Sequence, residues 1–329
     1  LKTPAFWAWR GPLALALAPL GVITKTLTAR RVARPGYTAG IPVYCAGNAT
    51  AGGSGKTIVA LDLLTRLPGR PFALTRGYRG RLHGPILVDP QTHSAADVGD
   101  EALLLAAAAP TIVARDRAAG ARLALAEGAT AIVMDDGLQN PTLVKTTSFL
   151  VIDGGAGFGN QLLLPAGPLR EPVVVAASRC HAAILIGEDT THATAALPRT
   201  LPILKAHLTP HHPTDLTNQP IIAFAGIGHP EKFFASATQL GANIVKSIRY
   251  PDHHSYTPSD AANLLATAAR ENAKLVTTAK DHIKLPAPLK AATTVITVTL
   301  TWETPEALSG FGLIARPGGL CPPGPPTKA

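Results

Sequence analysis

A glycine-rich segment, GNATAGGSGKT at residues 47–57, lies between two apolar runs and constrains this chain more than any other feature. Residues 41–46 read as a short buried strand and residues 56–67 (KTIVALDLLTRL) as an amphipathic helix. Strand, glycine-rich turn and helix in that order form a cradle for phosphate. Glycine lets backbone N–H groups close around phosphate oxygens, and the helix N-terminus adds a favourable dipole. Residues Thr50, Ala51, Gly52, Gly53, Ser54, Gly55, Lys56 and Thr57 would line it, with Lys56 on the β- and γ-phosphates and the Thr57 hydroxyl on Mg²⁺. The usual G-x-x-x-x-G-K-[ST] pattern has glycine where this chain has Thr50.

The 329 residues suffice for two domains. Three scattered cysteines, Cys45, Cys180 and Cys321, include no pair at metal-ligand spacing, which argues for reduced thiols in a cytosolic compartment. The net charge is +9, and residues 1–40 hold six basic residues (Lys2, Arg10, Lys25, Arg30, Arg31, Arg34) and no acid. That segment also carries Phe6, Trp7 and Trp9 and an apolar run over 12–24 that Pro19 breaks, shorter than the ~20 residues of a spanning helix. Aromatics, a short apolar face and basic flanks suit the surface of an anionic membrane. A core helix is the alternative. A signal peptide fits poorly, since no A-x-A-like cleavage site follows. No recognition module points to nucleic acid, and no obligate protein partner is expected.

From residue 39 onward short apolar runs alternate with helical patterns, which implies βαβ units and a parallel sheet. The predicted organisation is a basic, apolar membrane-associating segment (1–38), an α/β/α nucleotide-binding domain of the phosphate-loop type (39–208) and a second, smaller α/β lobe (209–293). A return linker strand with a C-terminal helix (294–316) and a disordered tail (317–329) follow. Alternation in 203–208 and 294–301 predicts a pair of strands through which the chain leaves the first lobe and returns. The Pro- and His-rich stretch 209–220 marks the boundary.

Candidate chemistry gathers at strand ends. Asp135 and Asp136 close a buried strand, where adjacent carboxylates hold Mg²⁺ directly and through water. Asp100 and Glu101 open a helix. They either complement its dipole, or one ligates metal while the other takes a proton from an acceptor alcohol. His253, in the PDHH run at 251–254, would partner such an acid across a cleft; a third ligand for zinc is missing. Arginines near strand ends, among them Arg76, Arg117 and Arg170, suit anionic groups.

The ordered motifs GNATAGGSGKT (47–57), TRGYRG (75–80), GDEALLL (99–105), DDGLQ (135–139), FGNQLLLPAGPLREP (158–172), AGIGHPEKFF (225–234), PDHHSY (251–256) and TTAKDHIKL (277–285) resemble the tetraacyldisaccharide 4'-kinase family. The resemblance implies two α/β lobes joined by a two-stranded linker. It also implies an ATP- and Mg²⁺-dependent kinase at the cytoplasmic face of the inner membrane of Gram-negative bacteria. Such a kinase phosphorylates the 4'-hydroxyl of a lipid A disaccharide 1-phosphate precursor. Matched by position, Thr57, Glu101 and Asp136, with Asp135 nearby, would serve Mg²⁺. Asp100 would deprotonate the acceptor with help from His253. Arg76, Tyr78, Arg117, Gln139 and Arg170 would line the cleft.

Two positions depart from the family pattern: Asn140 stands where histidine is usual, and Ala279 where glutamate is usual. The rival readings are a phosphate-loop ATPase or GTPase with a switching or insertion role, and a nucleotide-binding module without catalysis. Ala51, where the first of these often carries a signature lysine, counts against it.

Overall fold

The computed structural model describes residues 4–211 and 215–315; the expected disordered tail lies outside them. The N-terminal segment forms α1 (Pro12–Leu17), a 3-10 turn (Ala18–Leu20) and α2 (Gly21–Val32). Pro19 therefore does not break the run. Having no N–H to donate, it is absorbed by tightening one turn, and the helical stretch Pro12–Val32 covers 21 residues with only 11% of its apolar window buried. Ala14, Gly21 and Thr28 recur every seven residues and face the body. Leu13, Leu15, Leu20, Val22, Ile23 and Leu27 stay exposed, which removes the core-helix alternative.

The first lobe follows as β1 (Val43–Gly47), α3 (Lys56–Arg66), β2 (Pro71–Thr75), β3 (Ile86–Leu87), α4 (Ala95–Val98), α5 (Asp100–Ala106), β4 (Thr111–Val113) and α6 (Arg117–Ala126), then β5 (Ala131–Asp135), β6 (Thr147–Asp153), α7 (Val173–Ala177) and β7 (Ala182–Ile186). Strand β8 (Ile203–His211) leads out. The second lobe is β9 (Pro220–Ala225), α8 (Pro230–Gln239), β10 (Asn243–Arg249), α9 (Pro258–Arg270), β11 (Lys274–Thr278), α10 (Ala279–His282) and α11 (Ala287–Ala291). Strand β12 (Thr293–Trp302) returns, and a 3-10 helix (Pro305–Phe311) stands where the C-terminal helix is expected.

One twelve-stranded sheet runs through both lobes in the order β10-β9-β11-β12-β8-β7-β6-β1-β5-β2-β4-β3. All its pairings are parallel except β12 with β8 and β3 with β4. The central strands are buried on both faces and so read as unbroken apolar runs. In β5, Ile132 and Met134 join one core with Phe72, Leu74, Leu150 and Ile152. Ala131 and Val133 join the other, against Val59, Leu63 and Leu64 of α3. Burying each such leucine contributes about 1.5–3 kcal/mol. The second lobe repeats the plan, with Phe233, Phe234 and Ala237 of α8 on one face and Ala261 and Leu264 of α9 on the other.

The linker pair sets the cleft. Strand β7 ends at Ile186 beside Ala206 of β8, and β11 ends at Thr278 beside Ile296 of β12. Between them Ala206 to His211 pair antiparallel with Trp302 to Thr297, a run of roughly 17 Å. That antiparallel step reverses strand direction, so the carboxyl ends of the two lobes' strands face one another. Loops after parallel strands are where such sheets bind ligands.

Candidate active site

The glycine-rich loop leaves β1 and enters α3 at Gly55, which has φ +83°; an added Cβ would lie 2.7 Å from Ile186 Cδ1. Thr50, by contrast, bridges to Leu169 like a strand residue and accepts a hydrogen bond from Asn48 Nδ2 at 3.0 Å. Its φ is not positive, so this chain needs no glycine there. Ala51 N donates to Pro168 O at 2.7 Å and Asn48 Nδ2 to Ser54 Oγ at 3.0 Å, which fasten the loop. Lys56 folds back over it, with Nζ 3.4 Å from Gly52 O and 3.9 Å from Asp136 Oδ1.

At the end of β5 the two acids face different partners. Thr57 Oγ1 donates to Asp135 Oδ2 at 2.9 Å. Asp136, at φ +54°, is held by Arg170 through bonds of 2.8 and 3.0 Å. Burial, helped by the charges of Glu101 and Asp136, raises the Asp135 carboxyl, with Lys56 opposing. Burial also works against ionised Asp136, but Lys56, Arg170 and Arg117 outweigh it and hold that carboxyl at about 2. Arg170 ties the site to the N-terminal helix as well: its N–H donates to Ala49 O at 2.8 Å, and its carbonyl accepts from Thr28 Oγ1 at 3.1 Å.

From across the cleft, His253 Nδ1 lies 2.8 Å from Asp100 Oδ2 and 3.0 Å from Oδ1. Asp100 opens α5 after Gly99, whose φ of +87° lets the backbone pass where an added Cβ would lie 2.4 Å from Tyr78 O. His253 is itself at φ +60° and donates its N–H to Gly226 O at 3.0 Å. Lys280 Nζ lies 3.5 Å from Glu101 Oε1, 3.5 Å from His253 Nε2 and 3.9 Å from Asp100 Oδ2. Lys284 Nζ lies 3.7 Å from Asp100 Oδ2. Burial pushes the Asp100 carboxyl up, but the His253 bond and the charges of Lys280, His253 and Lys284 prevail and set it at about 2. Two further contacts cross between the lobes: Arg79 Nη1 donates to Asp252 O at 3.2 Å, and Lys232 pairs with Asp153.

The remaining sequence candidates divide by exposure. Tyr78 is exposed and meets the His253 ring edge-on at 5.7 Å, and Arg76 is exposed. Gln139 is buried, donating to Asn48 O and Glu171 Oε1, both at 2.8 Å. Arg117 is only 2% exposed and donates to Ala114 O. Burial lowers its guanidinium to about 10. It stands behind the cleft wall and acts on Asp136 through charge. Asn140 turns away from the acids, its Oδ1 accepting from Thr142 N and Oγ1 at 2.9 Å each. Asn48, Glu171, Lys280 and Lys284 join the site without a sequence signal of their own. Asn48 and Lys280 lie just beyond strand ends, whereas Glu171 and Lys284 are brought in by the fold.

The donors around Thr57, Asp135, Asp136 and Glu101 are all oxygens, and Asp135 Oδ1 is buried without a hydrogen-bond partner. Such a set fits a hard cation. No group of three or more His, Cys, Asp or Glu among the described residues would hold a metal unaided. Mg²⁺ binding through one or two carboxylates, waters and phosphates needs no such group.

The family profile described as Tetraacyldisaccharide-1-P 4'-kinase matches residues 13–311. A tetraacyldisaccharide 4'-kinase of Methylorubrum extorquens is 53% identical over 316 residues, covering 94% of this chain and 97% of its own. The enzyme of that description from Gluconacetobacter diazotrophicus is 51% identical over 313 residues, covering 93% and 96%. Among solved structures, the "apo" form of LpxK from Aquifex aeolicus in complex with ATP superposes with a TM-score of 0.73 at 26% identity, covering 91% of this chain and 98% of that one.

Proposed function

The chain belongs to the tetraacyldisaccharide-1-P 4'-kinase family, and from that premise we propose how its residues carry the reaction. It is an ATP-dependent phosphotransferase with an alcohol acceptor, moving the γ-phosphate to the 4'-hydroxyl of a tetraacyldisaccharide 1-phosphate in lipid A biosynthesis. Residues 50–57 hold the triphosphate, and Lys56 draws charge from the transferring group. The acceptor oxygen bonds to the γ-phosphorus, the bond to the β–γ bridging oxygen breaks, ADP leaves, and the hydroxyl proton passes to Asp100. His253 Nδ1 orients that carboxylate. Thr57, Asp135, Asp136 and Glu101 supply the ligands of Mg²⁺, which when bound neutralises charge on the phosphates. Arg170, Gln139 and Arg117 order the acid pair, while Arg76 and Tyr78 meet the acceptor at the open side.

The N-terminal helix lies along an anionic membrane, which puts the enzyme at the cytoplasmic face of the inner membrane as a peripheral or monotopic protein. Its exposed leucines and Arg30, Arg31 and Arg34 favour this. It is long enough to span, but Thr24 Oγ1 and Thr28 Oγ1 bond to Leu164 O and Arg170 O and keep it against the body.

The single observation that carries the catalytic reading is the 2.8 Å contact between Asp100 and His253 across the cleft. The test is transfer from ATP to a tetraacyldisaccharide 1-phosphate in mixed micelles, with and without Mg²⁺. Asp100→Asn should lose turnover while still binding ATP; undiminished transfer by that variant would remove Asp100 as the base.

A further inference from the structure

Lys284 is a lysine in a place where an apolar side chain would serve the packing. Its side chain is 6% exposed, its Nζ lies 5.9 Å from the Tyr256 ring centroid, and that ammonium makes no hydrogen bond of proper geometry. A buried charge is costly unless countercharge surrounds it. Two carboxylates do so: Asp281 Oδ1 at 3.1 Å and Asp100 Oδ2 at 3.7 Å. Asp281 is fully buried; its Oδ2 accepts from Gly226 N and Thr278 Oγ1, both at 2.9 Å, while its Oδ1 makes no hydrogen bond and faces the ammonium. Asp100 belongs to the other lobe.

We propose that Lys284 is a positioning residue for the catalytic carboxylate, holding Asp100 from the second lobe when the cleft is closed. The proposal rests on the reading of Asp100 as the base. The knot that fixes Lys284 also fixes His253: Asp281 binds Gly226 N, and Gly226 O binds His253 N. One buried carboxylate thus sets two of the three second-lobe groups that reach Asp100, His253 and Lys284. Lys280, one helical turn earlier, also reaches Asp100 but touches Glu101 and His253 as well. Lys284 touches none of the other proposed catalytic or metal-binding side chains; its effect should pass to Asp100 directly and, through Asp281 and Gly226, by way of the His253 that orients Asp100.

The experiment is a double-variant cycle on the full chain, using ATP and a tetraacyldisaccharide 1-phosphate in mixed micelles, with thermal unfolding as a check on folding. Lys284→Met should lower kcat about 10²-fold, the scale of a misplaced reacting group, with the KM for ATP unchanged. Lys284→Arg should recover most of the loss. In an Asp100→Asn background, Lys284→Met should cost less than about twofold more, because the group it positions is already gone. Should Lys284→Met fail to fold, Lys284→Gln carries the same cycle. Collapse of Asp100→Asn with a fully multiplicative further loss overturns the role of Lys284 alone. Near-normal turnover of Asp100→Asn overturns the base reading and the positioning role together.

Discussion

His253 and Asp100 stand 153 residues apart in the chain, yet Nδ1 of one lies 2.8 Å from Oδ2 of the other. They come from opposite lobes, so the pair exists only while the lobes are together. If the two act as one unit, Asp100→Ala and His253→Ala should each lower kcat about 10²–10⁴-fold. The double variant should then be little worse than the poorer single. Steady-state rates at saturating ATP on the lipid acceptor decide this, and fully multiplicative losses would dissolve the dyad.

Lys56→Ala should reduce turnover at least about 10²–10³-fold, the usual cost of losing one donor to the developing charge. The loop should keep its shape, because Asn48, Ala51 and Ser54 fasten it independently of Lys56. Circular dichroism unchanged from the parent, together with the kinetic loss, is the expected pair of results. Near-normal activity would take Lys56 out of the mechanism.

Removing residues 1–38, or replacing Arg30, Arg31 and Arg34 by Gln, should weaken binding to anionic vesicles. The arginine effect should fade as salt rises, because the Debye length falls to about 3 Å at 1 M. Truncation also deletes the Thr28 bond to the Arg170 carbonyl, so it should lower kcat on a short-chain soluble acceptor, where membrane binding plays no part. Vesicle sedimentation over a salt series separates the two effects. Binding as tight as that of the full chain would end the anchoring proposal.

Asp97 gives a pH signature. Its carboxylate accepts from Ser94 N at 2.8 Å and Ser94 Oγ at 2.6 Å in a capping box that precedes Gly99 and Asp100. Those two bonds, aided by Arg81, hold it at about 2. A carboxyl depressed in the folded state adds stability above its unfolded pKa of about 3.9 and loses it as pH falls through the folded value. The Tm gap between the parent and Asp97→Asn should therefore be full at neutral pH and close between about pH 4 and pH 2. A gap independent of pH would mean that the carboxylate charge contributes nothing.

Much of the fold was legible because local rules govern it. Strands buried on both faces are apolar runs, and Thr257 at the N-cap with Pro258 at the first position marks the start of α9, where the structure adds an Asp260 capping box. Alternation in 203–208 and 294–301 marked the linker strands, whose pairing begins with Ala206 opposite Trp302. Other features were not local. Pro19 looked like a break because a proline's lost N–H is visible in sequence, whereas its absorption into a 3-10 turn is not. Lys280 and Lys284, spaced four apart, look like one solvated helix face; Asp281 beside Lys284 is local, but the carboxylates of Asp100 and Glu101 arrive only with the approach of α5.

Sequence alone determined the phosphate loop, the order of βαβ units and the residue types at each strand end, because backbone freedom and hydrophobic period act over a few residues. Tertiary structure decided which charges neutralise which. Thr57 meets Asp135, while Asp136 goes to Arg170 and Lys56. Arg117 is drawn behind the wall, and Lys284 is delivered to Asp100 from the far lobe. Coulomb energy depends on distance and burial, and neither exists until the antiparallel step between β8 and β12 turns the two sets of strand ends toward each other.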